Sequence, residues 1–181
     1  MDFKTVLKKL IDIFEKNKID YALIGGFALG VYGVVRATND LDFLIDKKYN
    51  TFLKKMMKQN MYDIIYESEN VIQFEHPAAI FGSIDFLYAF RKPSLEMLKR
   101  AVEKNLFEKT IAIKVLLPED IIGLKVQAFV NRPERKVFEL EDIKSLITAN
   151  LSELDWEIIK KHFALFNLAT LYEELKNNYG K

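Results

Sequence analysis

Gly25-Gly26-Phe27-Ala28-Leu29-Gly30, followed after a helix-length interval by Asn39-Asp40-Leu41-Asp42-Phe43, decides the reading of this chain. The apolar run from Asp20 to Ile24 ahead of the glycines reads as a short buried strand, and Phe27 to Val34 behind them as a short helix. Backbone N–H groups at such a helix start can bind phosphate oxygens, with the glycines allowing close approach. Thr38 to Ile45 reads as a second strand, in which alternate side chains point to opposite faces. Asp40 and Asp42 therefore share one face, while Leu41, Phe43 and Ile45 share the other and can enter the core. Two carboxylates about 4 Å apart repel by roughly 4 kcal/mol at an effective dielectric near 20. A cation or a raised pKa must compensate them. An oxygen-only cluster suits Mg²⁺, which binds a few carboxylates and completes its octahedron with water and substrate phosphates.

A two-metal phosphoryl-transfer site needs a further carboxylate on a neighbouring strand. Ser83-Ile84-Asp85-Phe86-Leu87 offers Asp85, whose carboxylate points opposite to Ile84, Phe86 and Tyr88. Taken alone, Asp-x-Asp also fits a polar strand edge, and a glycine pair before a helix also fits tight packing. No Gly-Lys-Ser/Thr follows the glycines, so the loop is not a Walker A loop, and there is no Gly-x-Gly-x-x-Gly dinucleotide fingerprint. The combination is far more specific than its parts.

Outward from this stretch, Phe3, Val6, Leu7, Leu10, Ile11 and Phe14 recur at helical spacing and predict an amphipathic helix over 3–17. Lys47 to Gln59 predicts a lysine-rich helix with a solvated basic face. Strands are expected at Tyr62–Tyr66, Val71–Glu75 and Ser83–Tyr88, a helix at Ser94–Glu103, and a last strand or strand pair at Thr110–Leu117. Pro118 opens an apolar helix to Val130. Helices follow at 134–149, at 153–162 with Ser152 as N-cap, and near 165–177. Trp156 reads as a core anchor, and His76 and His162, which lack metal-ligand spacing, as structural or surface residues. The expected architecture is an α/β (α+β) core over 1–117 with an all-helical region over 118–181.

Half of the residues are hydrophobic and 29% are charged, an ordinary globular composition. There is no cysteine, which excludes disulfides and thiolate metal sites. The net charge of +1 advertises no global attraction to nucleic acid. Tyr21–Val35, the longest uncharged stretch, is too short and too rich in glycine for a membrane span, and the lysine-broken N-terminus is not a signal peptide. A cytoplasmic protein with no membrane partner is expected.

Strand, Gly-Gly, short helix, Gly33, Arg36, Thr38, Asp40-x-Asp42 and a later apolar strand carrying Asp85 together resemble the nucleotidyltransferase superfamily of the polymerase-beta type. The wording GGFALGVYGVVRATNDLDFLI looks most like its minimal bacterial and archaeal branch, which includes AbiEii-type toxins and related tRNA-modifying toxins. The resemblance covers about residues 19–90. It extends more loosely to Pro118-Glu119-Asp120-Ile121-Ile122-Gly123-Leu124-Lys125 and Leu140-Glu141-Asp142-Ile143.

The resemblance implies a mixed sheet flanked by helices and transfer of a nucleoside monophosphate from an NTP, ATP among them, to an acceptor hydroxyl or phosphate. Gly25 and Gly26 would hold the triphosphate, with Thr38 beside them. Asp40 and Asp42 would ligate two Mg²⁺ ions, replaceable by Mn²⁺, and Asp85 would be the third carboxylate, near the attacking hydroxyl. Arg36 and Lys125 would offset phosphate charge. The acceptors it implies are RNA such as tRNA, a partner protein's side chain, or a small molecule. A toxin–antitoxin or abortive-infection role, with a cognate antitoxin, is also among its implications. The alternative is a regulatory or antitoxin subunit that keeps the fold and binds nucleotide without catalysis. One departure stands out: the AbiEii-like branch commonly has a basic-acidic pair where this chain has Phe138-Glu139, so Lys136 or Arg135 would have to supply the charge.

Overall fold

Seven strands of the computed structural model, which describes residues 2–180, join in one mixed sheet. They are β1 (Tyr21–Ile24), β2 (Asp40–Asp46), β3 (Asp63–Glu67), β4 (Val71–Glu75), β5 (Ser83–Ala89), β6 (Val102–Leu106) and β7 (Ile111–Val115). Their lateral order is β3-β4-β5-β2-β1-β7-β6. β2 pairs with β5, and β1 with β7, in parallel, and every other neighbouring pair is antiparallel. The helices are α1 (Phe3–Lys16), α2 (Gly25–Val31), α3 (Asn50–Gln59), α4 (Lys92–Arg100), α5 (Pro118–Asn131), α6 (Lys136–Asn150), α7 (Trp156–Ala164) and α8 (Ala169–Tyr179). The fold is thus the mixed α/β arrangement expected.

The chain divides into two units. One takes the residues up to Ala28 with Ala37–Leu116, and the other takes Leu29–Arg36 with everything from Leu117 onward. All seven strands lie in the first. Its core follows from period-two burial: Leu41, Phe43, Ile84 and Phe86 are wholly buried on β2 and β5, and α1 adds Val6, Leu7, Leu10, Ile11 and Phe14. Phe43 stacks on Phe86 at 5.6 Å between ring centres, and Phe14 and Phe74 meet these rings edge-on at 5.7 and 5.9 Å. Such aromatic contacts add to the burial of large apolar area. These residues hold β2 and β5 in the middle of the sheet.

The second unit is helical from α5 on. Helix α5 is buried through Ile121, Ile122, Val126 and Phe129, and it also buries Glu119, Asp120 and Lys125. Each of these charges has a partner. The Glu119 carboxylate accepts from the Asp155 N–H at 2.7 Å, and Asp120 Oδ1 lies 2.8 Å from His162 Nε2. A Cβ on Gly123 would stand 2.6 Å from the His162 ring, so α5 and α7 approach too closely there for any side chain. His162 is therefore structural.

Several boundaries differ from the sequence expectation for local reasons. The Asp46 carboxylate accepts from the Lys48 N–H at 2.9 Å and starts a short 3₁₀ turn, Lys47–Tyr49, before α3. Helix α7 is capped by Asp155 and not by Ser152, because the Asp155 carboxylate accepts from the N–H groups of Glu157 and Ile158. Trp156 is half-buried, with its ring against Tyr172, instead of anchoring a core. Strand β6 was not expected as far upstream as Val102. Its Val-Glu-Lys-Asn-Leu run is an edge strand with every second residue exposed, and two charges mask its period.

Candidate active site

Strand phase alone brings the three aspartates together. Asp42 and Asp85 are register partners across the parallel β2–β5 pair, and Asp40 stands two residues earlier, opposite Ser83. One carboxylate oxygen from each lies within 4.8 Å of the other two, and all three residues are partly exposed. At that separation each ionised pair repels by about 3 kcal/mol at an effective dielectric near 20. The other side of the same strands is the aromatic core, so the carboxylates cannot turn away into the protein.

Their orientation is fixed by neighbours. Thr38 Oγ1 donates to Asp40 Oδ1 at 2.7 Å. The Gln73 side-chain amide donates to Asp85 Oδ2 from β4, where Gln73 is Asp85's register partner. Burial pushes the Asp85 carboxyl above the usual carboxylate range. The Gln73 bond pulls it back in part, and the negative charge of Asp40 adds to the rise.

The two glycines belong to the same assembly. Helix α2 begins at Gly25 itself, so the pair forms its first turn instead of a loop ahead of it. Gly25 has φ +65°, a left-handed conformation open to glycine. A Cβ there would fall on the Asp42 carboxylate, and a Cβ on Gly26 would stand 2.6 Å from Thr38 Cβ. Both positions must lack a side chain if Asp42 and Thr38 are to stay where they are. Gly25, Gly26, Thr38, Asp40, Asp42 and Asp85 thus form one contiguous set within the first unit.

Arg36 and Lys125 belong to the second unit, where both converge on Asp142. Arg36 pairs with its carboxylate, and Lys125 Nζ lies 2.5 Å from Asp142 Oδ2 and 3.0 Å from Glu139 Oε2. Lys125 is buried, so its ammonium is held by this pairing and does not reach out to solvent. Of the two basic residues suggested beside Phe138, Arg135 meets Glu139, with Nε and Nη2 at 2.9 and 2.6 Å from Oε1. Burial pushes the Glu139 carboxyl up, but Lys125 and Arg135 outweigh it and hold the group below the usual range.

Gln73, Glu139 and the joint role of Asp142 were not foreseen. The signal for Gln73 was present: it alternates with Ile72 and Phe74 as Asp85 alternates with Ile84 and Phe86. Glu139 and Asp142 lie three apart on α6, one face of a helix, and that face meets Lys125.

Three oxygen donors of this kind, with no nitrogen or sulfur ligand among them, fit Mg²⁺ or Mn²⁺. No family model matches the chain, and no curated protein does. Solved structures do. ANT(2'')-Ia in complex with adenylyl-2''-tobramycin superposes with a TM-score of 0.66 at 14% identity, over 90% of this chain and 95% of that one. The chain has the nucleotidyltransferase fold. The lincosamide antibiotic adenylyltransferase LnuA, in its lincomycin-bound form, gives a TM-score of 0.56 at 17% identity, over 80% and 96% of the two chains. An antigenic nucleotidyltransferase-like protein from Paracoccidioides brasiliensis gives 0.58 at 19%, over 97% and 92%.

Proposed function

We propose that this protein is a magnesium-dependent nucleotidyltransferase that moves a nucleoside monophosphate from an NTP to an acceptor hydroxyl. The observation that carries this reading is the cluster of Asp40, Asp42 and Asp85, brought within 4.8 Å on two parallel strands. The fold supports it. Asp40 and Asp42 would hold two Mg²⁺ ions, with Asp85 completing the shell of one. When bound, the ions would neutralise the triphosphate and leaving pyrophosphate and lower the pKa of the attacking hydroxyl.

The chain's own residues position these groups. Thr38 and Gln73 hold the Asp40 and Asp85 carboxylates by hydrogen bonds, and Gly25 leaves room for that of Asp42. The N–H groups of Gly25 and Gly26 are assigned to triphosphate oxygens, with Thr38 beside them. Arg36 and Lys125, which the resemblance assigns to phosphate, are both engaged by Asp142 within the second unit, so phosphate would have to displace that carboxylate. The first unit carries the catalytic core, and the helices from α5 onward form the C-terminal region.

The acceptor class we favour is a small molecule with a free hydroxyl, in line with the tobramycin and lincomycin complexes among the structures it resembles. A tRNA or protein acceptor, an AbiEii-like affiliation and a cognate antitoxin rest on the sequence resemblance alone. A cytoplasmic location agrees with the lack of cysteine. Among the described residues, no helix is long and apolar enough to cross a membrane.

The test is incubation with each α-labelled NTP and Mg²⁺ in the presence of an aminoglycoside, a lincosamide, total tRNA or the protein alone. Label on a small molecule, lost in Asp42→Asn, is the expected result. Label on tRNA or protein would keep the chemistry and replace the acceptor. Nucleotide binding without transfer to any acceptor would favour the non-catalytic subunit.

A further inference from the structure

The two edges of the sheet are built differently. At one edge, β6 exposes every second residue and carries Glu103 and Lys104 at its centre, a common defence against strand pairing. At the other, β3 is exposed at all five positions, and its centre is Ile64-Ile65-Tyr66. These side chains are 46%, 55% and 48% exposed. Among the described residues, no strand pairs with the outer side of β3. The strand contains neither lysine nor proline, and a bulge between Ile64 and Tyr66 is its one irregularity.

Charge at the ends of β3 indicates what could cover it. Glu67, at one end, is held by Lys54 Nζ at 2.5 Å. At the other end Asp63 is the register partner of Glu75 on β4, and both are exposed. Like charges directly opposite one another destabilise a sheet, and among the described residues no cation lies within ion-pair distance of either. A second copy of this chain suits the edge poorly. Antiparallel pairing about Ile65 would set Asp63 of each copy against Glu67 of the other, whose cation Lys54 is already engaged, so neither copy brings a further cation to Asp63 and Glu75.

We propose that β3 is a docking edge for an extended segment of a partner protein, which adds a strand antiparallel to it. Apolar side chains of that segment cover Ile64, Ile65 and Tyr66, and a lysine or arginine lies against Asp63 and Glu75. Main-chain hydrogen bonds supply affinity in such a pairing, and the side chains supply its specificity. The site shares no residue with the acidic cluster, although Tyr66 is the register partner of Gln73, which holds Asp85.

A library of random twelve-residue peptides, displayed on phage and selected on the immobilised full chain, tests this. The expected winners alternate β-branched or aromatic residues and carry a basic residue at one end. Their binding should weaken at least tenfold in Ile64→Lys/Tyr66→Lys, whose melting temperature should stay near that of the parent because both sites are exposed. Asp63→Lys/Glu75→Lys should reverse the preference toward peptides with an acidic end. Bound peptide should slow amide exchange in 63–67. The proposal is overturned if no peptide is enriched, if winners lack the basic end, or if they bind the Ile64→Lys/Tyr66→Lys protein unchanged. A dimer in sedimentation that dissociates in this variant would also overturn it, because a second copy would then be the occupant.

Discussion

Asp42 and Asp85 are register partners on two parallel strands, so their carboxylates leave the same face of the sheet side by side. With Asp40 they concentrate negative charge within 4.8 Å, against which Thr38 and Gln73 set neutral hydrogen-bond donors. The expected behaviour of the site follows from that imbalance.

Mg²⁺ with an NTP should stabilise the protein. A ligand present at about 100 times its dissociation constant adds roughly 2.7 kcal/mol by mass action. The check is thermal melting with Mg²⁺ and each of ATP, GTP, CTP and UTP. A midpoint unmoved by all four would place the nucleotide site elsewhere.

Asp42→Asn should abolish transfer and leave the fold intact or slightly more stable in the absence of metal. The substitution removes one member of a repelling cluster and with it a ligand assigned to both ions. Melting curves and single-turnover transfer on one preparation give both readouts.

Asp85→Asn should separate binding from chemistry. Asp40 and Asp42 remain to hold the nucleotide-bearing ion, so the NTP dissociation constant should change only modestly while kcat falls steeply. A loss confined to the transition state lowers kcat and kcat/KM together. Equal loss of NTP binding would mean that Asp85 supports the nucleotide itself.

Gly25→Ala should cost more than its single methyl suggests. The added Cβ meets the Asp42 carboxylate, and the left-handed φ disfavours any L side chain. Stability should fall by about 1 kcal/mol or more, and transfer should be lost with it. Mg²⁺-NTP protection measured by melting would check that the carboxylate has moved.

Glu139→Gln should flatten the acid limb of the stability curve. The folded Glu139 carboxyl is held below its ordinary range. Its contribution is therefore present above the unfolded pKa, near 4.3, and is lost as pH falls from there through the lowered folded value. At neutral pH the substitution should destabilise by about 1–3 kcal/mol, because it takes the buried anion from Arg135 and leaves Lys125 with Asp142 alone. Urea unfolding between pH 7 and pH 3 would show both effects, and an unchanged acid limb would remove Glu139 from the balance.

Much of this arrangement could be read from the chain because it rests on local periods. A period of two placed Asp40, Asp42 and Asp85 opposite Leu41, Phe43, Ile84 and Phe86, and the structure keeps that phase. Helix α1 followed from its apolar spacing. What was not legible depends on neighbours distant in sequence. Strand β6 owes its place to pairing with β7, not to a pattern of its own. The Asp155 residue that caps α7 in place of Ser152 is also tied to α5, where Glu119, 36 residues away, accepts from its N–H. That Lys125 and Arg36 share Asp142 is a property of helix packing, which no spacing in the chain reveals.

The parallel pairing of β2 and β5 also sets when the acidic cluster can exist. α3, β3 and β4 lie between the two strands in sequence, so the pairing is a non-local contact of the kind that forms slowly. A nascent chain that stops before Ser83 carries Asp40 and Asp42 but has no strand to bring a third carboxylate beside them. The repulsion that Asp85 adds to the Asp40–Asp42 pair is therefore absent from the early chain and arises only as β5 settles between β4 and β2. Cation binding would then report the completion of the sheet centre, and divalent ions would act late in folding, on a chain whose aromatic core is already closing.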